Sequence, residues 1–327
     1  MQNKTLKKIY ITRKIPDIAE KMLKEKGYIV HINPKDKNLT KKELLSVLKK
    51  DNYDAVLSLL SNKIDEEIFK TVPSVKIFSN FATGFDNINI EQAKKYAVTV
   101  ANAPAPKTSE SVAEHTFALM LALGKNITDG DRFVRAGKYK GWMPMLFIDN
   151  DLIGRTLGLI GAGRIGEKVA KRASAFGLKI IYTDLKKNTF LDKTLKAVYY
   201  KSHKDILSKA DFISLHVPLL PSTHHLIDKK ALKMMKKTAF LINTSRGPVI
   251  DEKALVVALQ RGEIGGAGLD VYEFEPKVTK DLLKMENTVL TPHIASASFS
   301  VRNQMAEISA QNIIDFFEGR KMKYIIN

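Results

Sequence analysis

Residues 156–166 read Thr-Leu-Gly-Leu-Ile-Gly-Ala-Gly-Arg-Ile-Gly. An apolar run from Leu157 to Ile160 enters a G-x-G-x-x-G turn at Gly161, Gly163 and Gly166, and a helical pattern from Lys168 to Phe176 leaves it. Strand, glycine turn and helix in that order meet the needs of a bound diphosphate. Gly161 permits the tight turn, Gly163 lets a pyrophosphate approach the backbone, and Gly166 lets helix and strand pack closely. Free N–H groups at the helix start then face the phosphate oxygens. Arg164 and Ile165 lie inside the same turn and are candidate cofactor contacts. A second strand, Lys179 to Thr183, ends in Asp184, 18 residues beyond Gly166. An acid at that spacing accepts hydrogen bonds from the adenosine ribose and repels a 2′-phosphate. NAD(H) is therefore expected over NADP(H), with Lys186 and Lys187 close enough to soften the preference.

The rest of the chain keeps the same alternation. Upstream, strand-like runs at Lys8 to Thr12, Tyr28 to Ile32, Ala55 to Leu59, Val75 to Phe78 and Val98 to Val100 alternate with helical patterns at Ile18 to Lys26, ended by Gly27, and Lys41 to Lys50. Strands alternating with helices imply parallel βαβ units. Asn102-Ala-Pro-Ala-Pro106 reads as a proline-punctuated hinge. A long amphipathic helix follows, for which Ser111 to Glu114 fits a capping box and Ala113, Phe117, Met120 and Leu121 form one apolar face. A second βα series runs from Leu157 to about Leu290. The last helix carries Val301, Met305, Ile308 and Phe316 at helical spacing. There is no internal repeat and no low-complexity tract.

With 327 residues, two domains are the first expectation, and 44% apolar residues suffice to build them. The absence of cysteine excludes disulfides and thiolate zinc sites, and no metal is expected. The N-terminus lacks the apolar core of a secretory signal, and no apolar run approaches a membrane span. A soluble, cytoplasmic protein is expected. The formal net charge of +18 comes from scattered lysines with no basic run interleaved with aromatics, so neither a nucleic-acid nor a membrane partner is expected.

Three further segments place polar residues in apolar surroundings. Residues 240–247, Phe-Leu-Ile-Asn-Thr-Ser-Arg-Gly, set Arg246 just beyond a buried-type strand, where ligands of open α/β sheets sit; a guanidinium there suits a carboxylate and its neighbouring keto oxygen. Residues 266–276 carry Asp270, Glu273 and Glu275 before Pro276. Residues 289–296 carry His293 behind Thr291 and Pro292, and end at Ser296. A histidine alone signifies little; its company makes it a candidate.

These segments, with Ala82-Thr-Gly-Phe-Asp-Asn87, Ser111-Val-Ala-Glu-His115, His216-Val-Pro-Leu219, Asn243 to Gly247, Leu269-Asp-Val271, Glu275-Pro276 and Thr291-Pro-His293, resemble the D-isomer-specific 2-hydroxyacid dehydrogenases over essentially the whole length. Gly137-Lys-Tyr-Lys-Gly-Trp142-Met-Pro144 ahead of Asp151 to Gly158 is similar to the glyoxylate and hydroxypyruvate reductases of that family. In those relatives the segment reaches towards the partner subunit's substrate pocket.

The resemblance implies two doubly wound parallel-sheet lobes with a cleft between them. A flavodoxin-like substrate domain would comprise residues 1–102 plus 295–327, and a Rossmann NAD domain residues 103–294. It implies a homodimer, through the helix after Thr108, acting on a small 2-oxo or 2-hydroxy acid. Arg246 would bind and polarise the substrate, His293 would donate the proton, and Glu275 would pair with the histidine; Glu273 competes for that last role. Thr83 and Gly84 would hold the substrate carboxylate, with Trp142 lining the pocket. Asp270 would hold the nicotinamide carboxamide and Pro218 wall the cofactor cleft, with Thr223, Thr244 and Ser296 as further cofactor contacts. Two positions depart from the family pattern: Thr83 replaces an aliphatic residue and Ala295 a glycine. D-lactate, phosphoglycerate and 2-ketogluconate specificities remain alternatives, as does a cofactor-sensing protein similar to the dehydrogenase-like corepressors. The absence of a regulatory domain or long tail weighs against the larger phosphoglycerate forms and the corepressors.

Overall fold

A computed structural model describes residues 6–149 and 151–327. The chain divides into two compact units, Met1–Thr108 with Ala297–Asn327, and Ser109–Ser296.

The first unit contains β1 (Lys8–Ile11), α1 (Ile18–Glu25), β2 (Ile29–Ile32), α2 (Lys41–Lys50), β3 (Ala55–Leu59), α3 (Glu66–Thr71), β4 (Ile77–Phe81), α4 (Ile90–Lys95) and β5 (Thr99–Asn102). Its five strands are all parallel, in the order β2-β1-β3-β4-β5. Parallel strands covered on both faces need near-continuous apolar sequence. Accordingly Val56 and Phe78 join one core, around Leu44, Leu48 and Phe69. Ile9, Leu57 and Ile77 join the other, against the last helix. Each fully buried Ile or Leu contributes about 1.5–3 kcal/mol.

The second unit contains α5 (Thr108–Gly124, whose first residue belongs to the first unit), α6 (Ile127–Arg135), β6 (Thr156–Ile160), α7 (Arg164–Ala175), β7 (Lys179–Thr183), α8 (Thr189–Thr194), β8 (Val198–Tyr199), α9 (His203–Leu207), β9 (Phe212–Leu215), α10 (Lys229–Met234), β10 (Phe240–Asn243), α11 (Glu252–Gln260), β11 (Gly266–Leu269) and β12 (Thr288–Leu290). Returning to the first unit, α12 (Phe299–Phe317) lays Val301, Met305, Ala306 and Ile313 onto its sheet. The seven strands of the second sheet are parallel in the order β12-β11-β10-β9-β6-β7-β8. From β6 the chain first winds outward through β7 and β8, then returns to β9 on the other side. The strand order reverses between β6 and β9, the place where open α/β sheets bind ligands. Both sheets are of the two-lobed, doubly wound α/β type anticipated from the sequence.

Some boundaries differ from the sequence reading. The expected capping box at Ser111 to Glu114 does not exist, because α5 already begins at Thr108. Ser111 is helix interior and donates its hydroxyl to the Ala295 carbonyl at 3.0 Å, and Glu114 pairs with Arg172 at 3.0 Å. The helix after the glycine turn starts at Arg164, four residues before the Lys168 expected from the sequence.

Candidate active site

One register row sets the geometry. Thr183 pairs with Ile160, Ile160 with Leu215, Leu215 with Asn243, Asn243 with Leu269, and Leu269 with Leu290. All six strands are parallel, so the residues that follow this row emerge from one edge of the sheet. They are Asp184, Gly161, His216, Arg246, Asp270 and His293.

At the switch point, Gly161 holds φ +97°, and a Cβ there would stand 2.5 Å from the His216 carbonyl oxygen. A Cβ on Gly166 would stand 2.3 Å from the Gly161 carbonyl oxygen, so the first turn of α7 lies directly on the loop. Gly163, the N-cap of α7, is different: an added Cβ meets nothing within 4 Å. Two glycines are required by the protein's own packing, whereas the third leaves open space at a helix N-terminus, which fits a diphosphate. Arg164 is exposed and Ile165 half-buried beside it.

The Asp184 carboxylate braces this turn. It accepts from the Ala162 amide at 2.6 Å and from the Leu185 amide at 2.6 Å. Asn188, which caps α8, donates to the Ala162 carbonyl at 2.8 Å and is itself fixed by the Tyr182 hydroxyl, which accepts from its amide at 2.8 Å. Burial first, then the hydrogen bond to Asp192, pushes the Tyr182 phenol up to about 12. On the other side, the half-buried His216 ring lies 2.9 Å by Nε2 from the Ser214 hydroxyl, and its Nδ1 has no partner among the described residues. Desolvation pushes this imidazole down to about 3, so it is neutral.

Arg246 follows β10 in extended backbone, and one of its guanidinium nitrogens donates to the Ser245 carbonyl at 2.8 Å. The loop is tied by Asn243, fully buried, which donates to the Arg246 carbonyl at 2.9 Å and accepts from the Ser245 amide at 3.0 Å. Thr244 is buried, its hydroxyl 2.8 Å from that of Thr116 on α5.

His293 and Glu275 meet: imidazole Nδ1 lies 3.0 Å from Glu275 Oε2, while Glu275 Oε1 accepts from the Tyr272 amide at 3.1 Å. The peptide bond between Glu275 and Pro276 is cis. Glu273, the competing candidate, points elsewhere and pairs with His225 at 2.7 Å. His293 itself has φ +56°, a left-handed backbone that costs a non-glycine residue about 1–3 kcal/mol. Asp270 compensates this strain. Its carbonyl accepts from the His293 amide at 2.8 Å, and its carboxylate accepts from the amides of Ile294 and Ala295, both at 2.8 Å, and from the Thr291 hydroxyl at 2.6 Å. His115 Nε2 stands 3.4 Å away. Burial raises the Asp270 pKa, but hydrogen bonds from His115, Thr291 and the two amides outweigh it and hold the carboxyl below its ordinary value. With no exposed surface, Asp270 organises the turn that presents His293.

Other expected contacts are placed as follows. Pro218 is exposed, and Thr223 closes its loop by donating to the Pro218 carbonyl at 2.6 Å. Ser296 is half-buried beyond the Asp270-held turn. Trp142 is 83% exposed in the segment after α6. Thr83 and Gly84 belong to the first unit, where Asn102 donates to the Thr83 carbonyl at 2.6 Å and Asn80 to the Gly84 carbonyl at 3.0 Å. Positional reasoning missed Asn243, Asn80, Asn102 and His115 as holders of these loops. Their signal was faint: a polar residue at the end of an apolar strand, or on the apolar side of a helix.

A glycine turn at a switch point and an imidazole–carboxylate pair on the same sheet edge define a nicotinamide-dependent oxidoreductase, and the chain belongs to the D-isomer-specific 2-hydroxyacid dehydrogenases: residues 117–295 match that family's NAD-binding domain. Among its relatives, the glyoxylate reductase of Pyrococcus horikoshii is 43% identical over 324 residues, 98% of this chain and 96% of that protein. The glyoxylate reductase of Thermococcus litoralis is likewise 43% identical over 98% of this chain and 96% of its own. Among solved structures, an NADPH-dependent glyoxylate/hydroxypyruvate reductase from Sinorhizobium meliloti, in complex with NADP and malonate, superposes with a TM-score of 0.84 at 29% identity, covering 98% of this chain and 97% of that one. The protein is thus a 2-hydroxyacid dehydrogenase of a family that acts on small hydroxy and oxo acids with a nicotinamide cofactor. No described helix is long and apolar enough to cross a membrane.

Proposed function

We propose that this enzyme reduces a small 2-oxo acid, glyoxylate or hydroxypyruvate, to the 2-hydroxy acid (of D configuration where the product is chiral), with NADH as reductant. The observation that carries the reading is the 3.0 Å pair between His293 Nδ1 and Glu275. It fixes the ring orientation and leaves Nε2 as the proton donor to the keto oxygen. The nicotinamide, when bound, supplies the hydride to the keto carbon. Arg246 binds the substrate and polarises its carbonyl as charge develops on oxygen.

In this proposal the Ser109–Ser296 unit is the cofactor domain, with Gly161, Gly163, Arg164, Ile165, Gly166, Pro218, Thr223, Thr244, Asp270 and Ser296 around the dinucleotide. Asp270 acts there by shaping the turn. Asp184 carries the NADH preference, since its charge is kept at the end of β7 by two amides. In the first unit, the carbonyls of Thr83 and Gly84 are already engaged, so that turn offers N–H groups to a substrate carboxylate.

A homodimer and a cytoplasmic location complete the proposal. The dimer rests on α6, which buries no residue although Ile127 and Val134 are 56% and 58% exposed, and on Trp142 and Met145 beyond it. The arm from α6 to Trp142 would pack on a second copy, with Trp142 reaching that copy's substrate.

The test is oxidation of NADH and of NADPH with glyoxylate, hydroxypyruvate, pyruvate and 2-ketogluconate, on the wild type and on Glu275→Gln. The highest turnover should come with NADH and one of the first two acids, with a loss of about 100-fold or more in the variant. Preference for another acid would overturn the substrate reading, and an undiminished Glu275→Gln would overturn the proton-donor pair.

A further inference from the structure

We propose that His224, His225 and Glu273 form a binding site for a divalent transition-metal ion of the zinc class, separate from the His293–Glu275 pair. One ligand atom from each of the three lies within 4.8 Å of the others. Two imidazoles and a carboxylate are a donor set suited to zinc, nickel or copper, with a fourth position open to water. The sequence alone points to no metal here. His224 and His225 are adjacent in the chain, but Glu273 stands 48 positions beyond His225 and reaches it only through the fold.

The surroundings orient these donors in advance. Glu273 Oε1 lies 2.7 Å from His225 Nε2, whereas Oε2 is held at 3.0 Å by the Glu252 amide. Glu252, 3% exposed, returns the contact by accepting from the Glu273 amide at 2.8 Å. Metal-binding carboxylates are commonly fixed by such a second layer of hydrogen bonds. His225 is held by its amide, which donates to the Pro248 carbonyl at 2.8 Å, and its backbone is left-handed at φ +50°. That conformation brings the two imidazole rings into a stack, centroids 4.0 Å apart and planes 27° apart. Tetrahedral binding at about 2.0–2.1 Å places ligand atoms roughly 3.4 Å from one another. His224 is exposed, so its side chain can make the closing movement.

Such an ion would act as a brace. Glu273 is two residues before Glu275, and the backbone at Tyr272 and Glu273 lies so close to Gly247 that a Cβ there would be 1.9 Å from the Tyr272 carbonyl. Metal at Glu273 would therefore fix the segment that carries Glu275 and abuts the residue after Arg246.

The experiment is equilibrium dialysis of the metal-stripped full-length protein against Zn²⁺, with metal analysis and thermal melting, for the wild type and three variants. His224→Ala removes an exposed ligand, His225→Gln removes the held one, and His293→Ala removes the other imidazole–carboxylate pair. The expected result is one ion per chain with a raised melting temperature in the wild type, retained in His293→Ala and weakened more than about tenfold in the other two. Unchanged metal-free melting of His224→Ala shows that the loss is not unfolding. No binding by the wild type, equal binding by His224→Ala, or loss of the ion in His293→Ala would each overturn the site.

Discussion

Alanine at Gly163 and alanine at Gly166 should have opposite consequences, although both glycines belong to one turn. At Gly166 the new Cβ would stand 2.3 Å from the Gly161 carbonyl oxygen. Ordinary contact near 3.5 Å requires helix and loop to part by roughly 1 Å. Both groups are backbone, so the cost falls at the upper end of overpacking, about 3 kcal/mol. For a unit of this size that corresponds to a fall of about 6–12 °C in melting temperature. At Gly163 the backbone has φ −75° and the Cβ meets nothing within 4 Å. The roughly 0.5–1 kcal/mol lost at the N-cap is largely offset by the lower unfolded-state entropy of alanine, so stability should stay within about 0.5 kcal/mol of wild type. The methyl would instead occupy the space assigned to the diphosphate. Losing one charge-assisted hydrogen bond there, about 1.5–3 kcal/mol, weakens NADH binding roughly 10- to 150-fold. Melting curves with and without NADH, and a fluorescence titration of NADH, separate the two effects. If Gly163→Ala melts as early as Gly166→Ala, or binds NADH like the wild type, the open space above Gly163 is not the cofactor cradle.

Three other outcomes follow from the same geometry. Gly247→Ala would place a Cβ 1.9 Å from the Tyr272 backbone, so the loops bearing Arg246 and Glu275 must separate; kcat/KM should fall by about 100-fold or more, and a fall of less than threefold would contradict this. The imidazole of His216, pushed down to about 3 by desolvation, is neutral in the native state and takes up a proton on unfolding once the pH drops below about 6.5. Stability should therefore decline by up to about 1.4 kcal/mol per pH unit from this group between those values, with the lowered carboxyl of Asp270 adding its own loss below about pH 3.9. Urea melts at pH 7 and pH 5 should show His216→Gln with a shallower decline than wild type, and equal slopes would refute the assignment. Finally, Ile127→Glu with Val134→Glu should turn the proposed homodimer into a monomer in sedimentation, with little change in melting of the Ser109–Ser296 unit, because neither side chain is buried.

Much was legible from residues 156–166 outward because the relevant constraints are local. A glycine with φ +97°, a helix N-terminus and an acid at the end of the next strand are all set within a single βαβ unit. Strand positions were likewise readable, since a strand covered on both faces must be apolar throughout. Ser111 was misread for a related reason: a capping pattern is local, but α5 begins at Thr108, four residues before the Val112 at which that pattern would start it. Motif order placed Arg246, Glu275 and His293 as candidates, yet only the family resemblance, and no rule of spacing, distinguished Glu275 from Glu273.

Tertiary structure alone decided how each polar group is spent. Parallel register puts Asn243, Leu269 and Leu290 in one row, so residues from three distant segments emerge at a single edge. Glu275 then meets His293, Glu273 meets His225, and Asp270 gives its carboxylate to the turn behind His293. The physical reason is one of range. Backbone propensity and periodicity act over a few residues and are written along the chain, whereas the hydrogen bonds of a buried carboxylate depend on which strand ends the sheet places beside it.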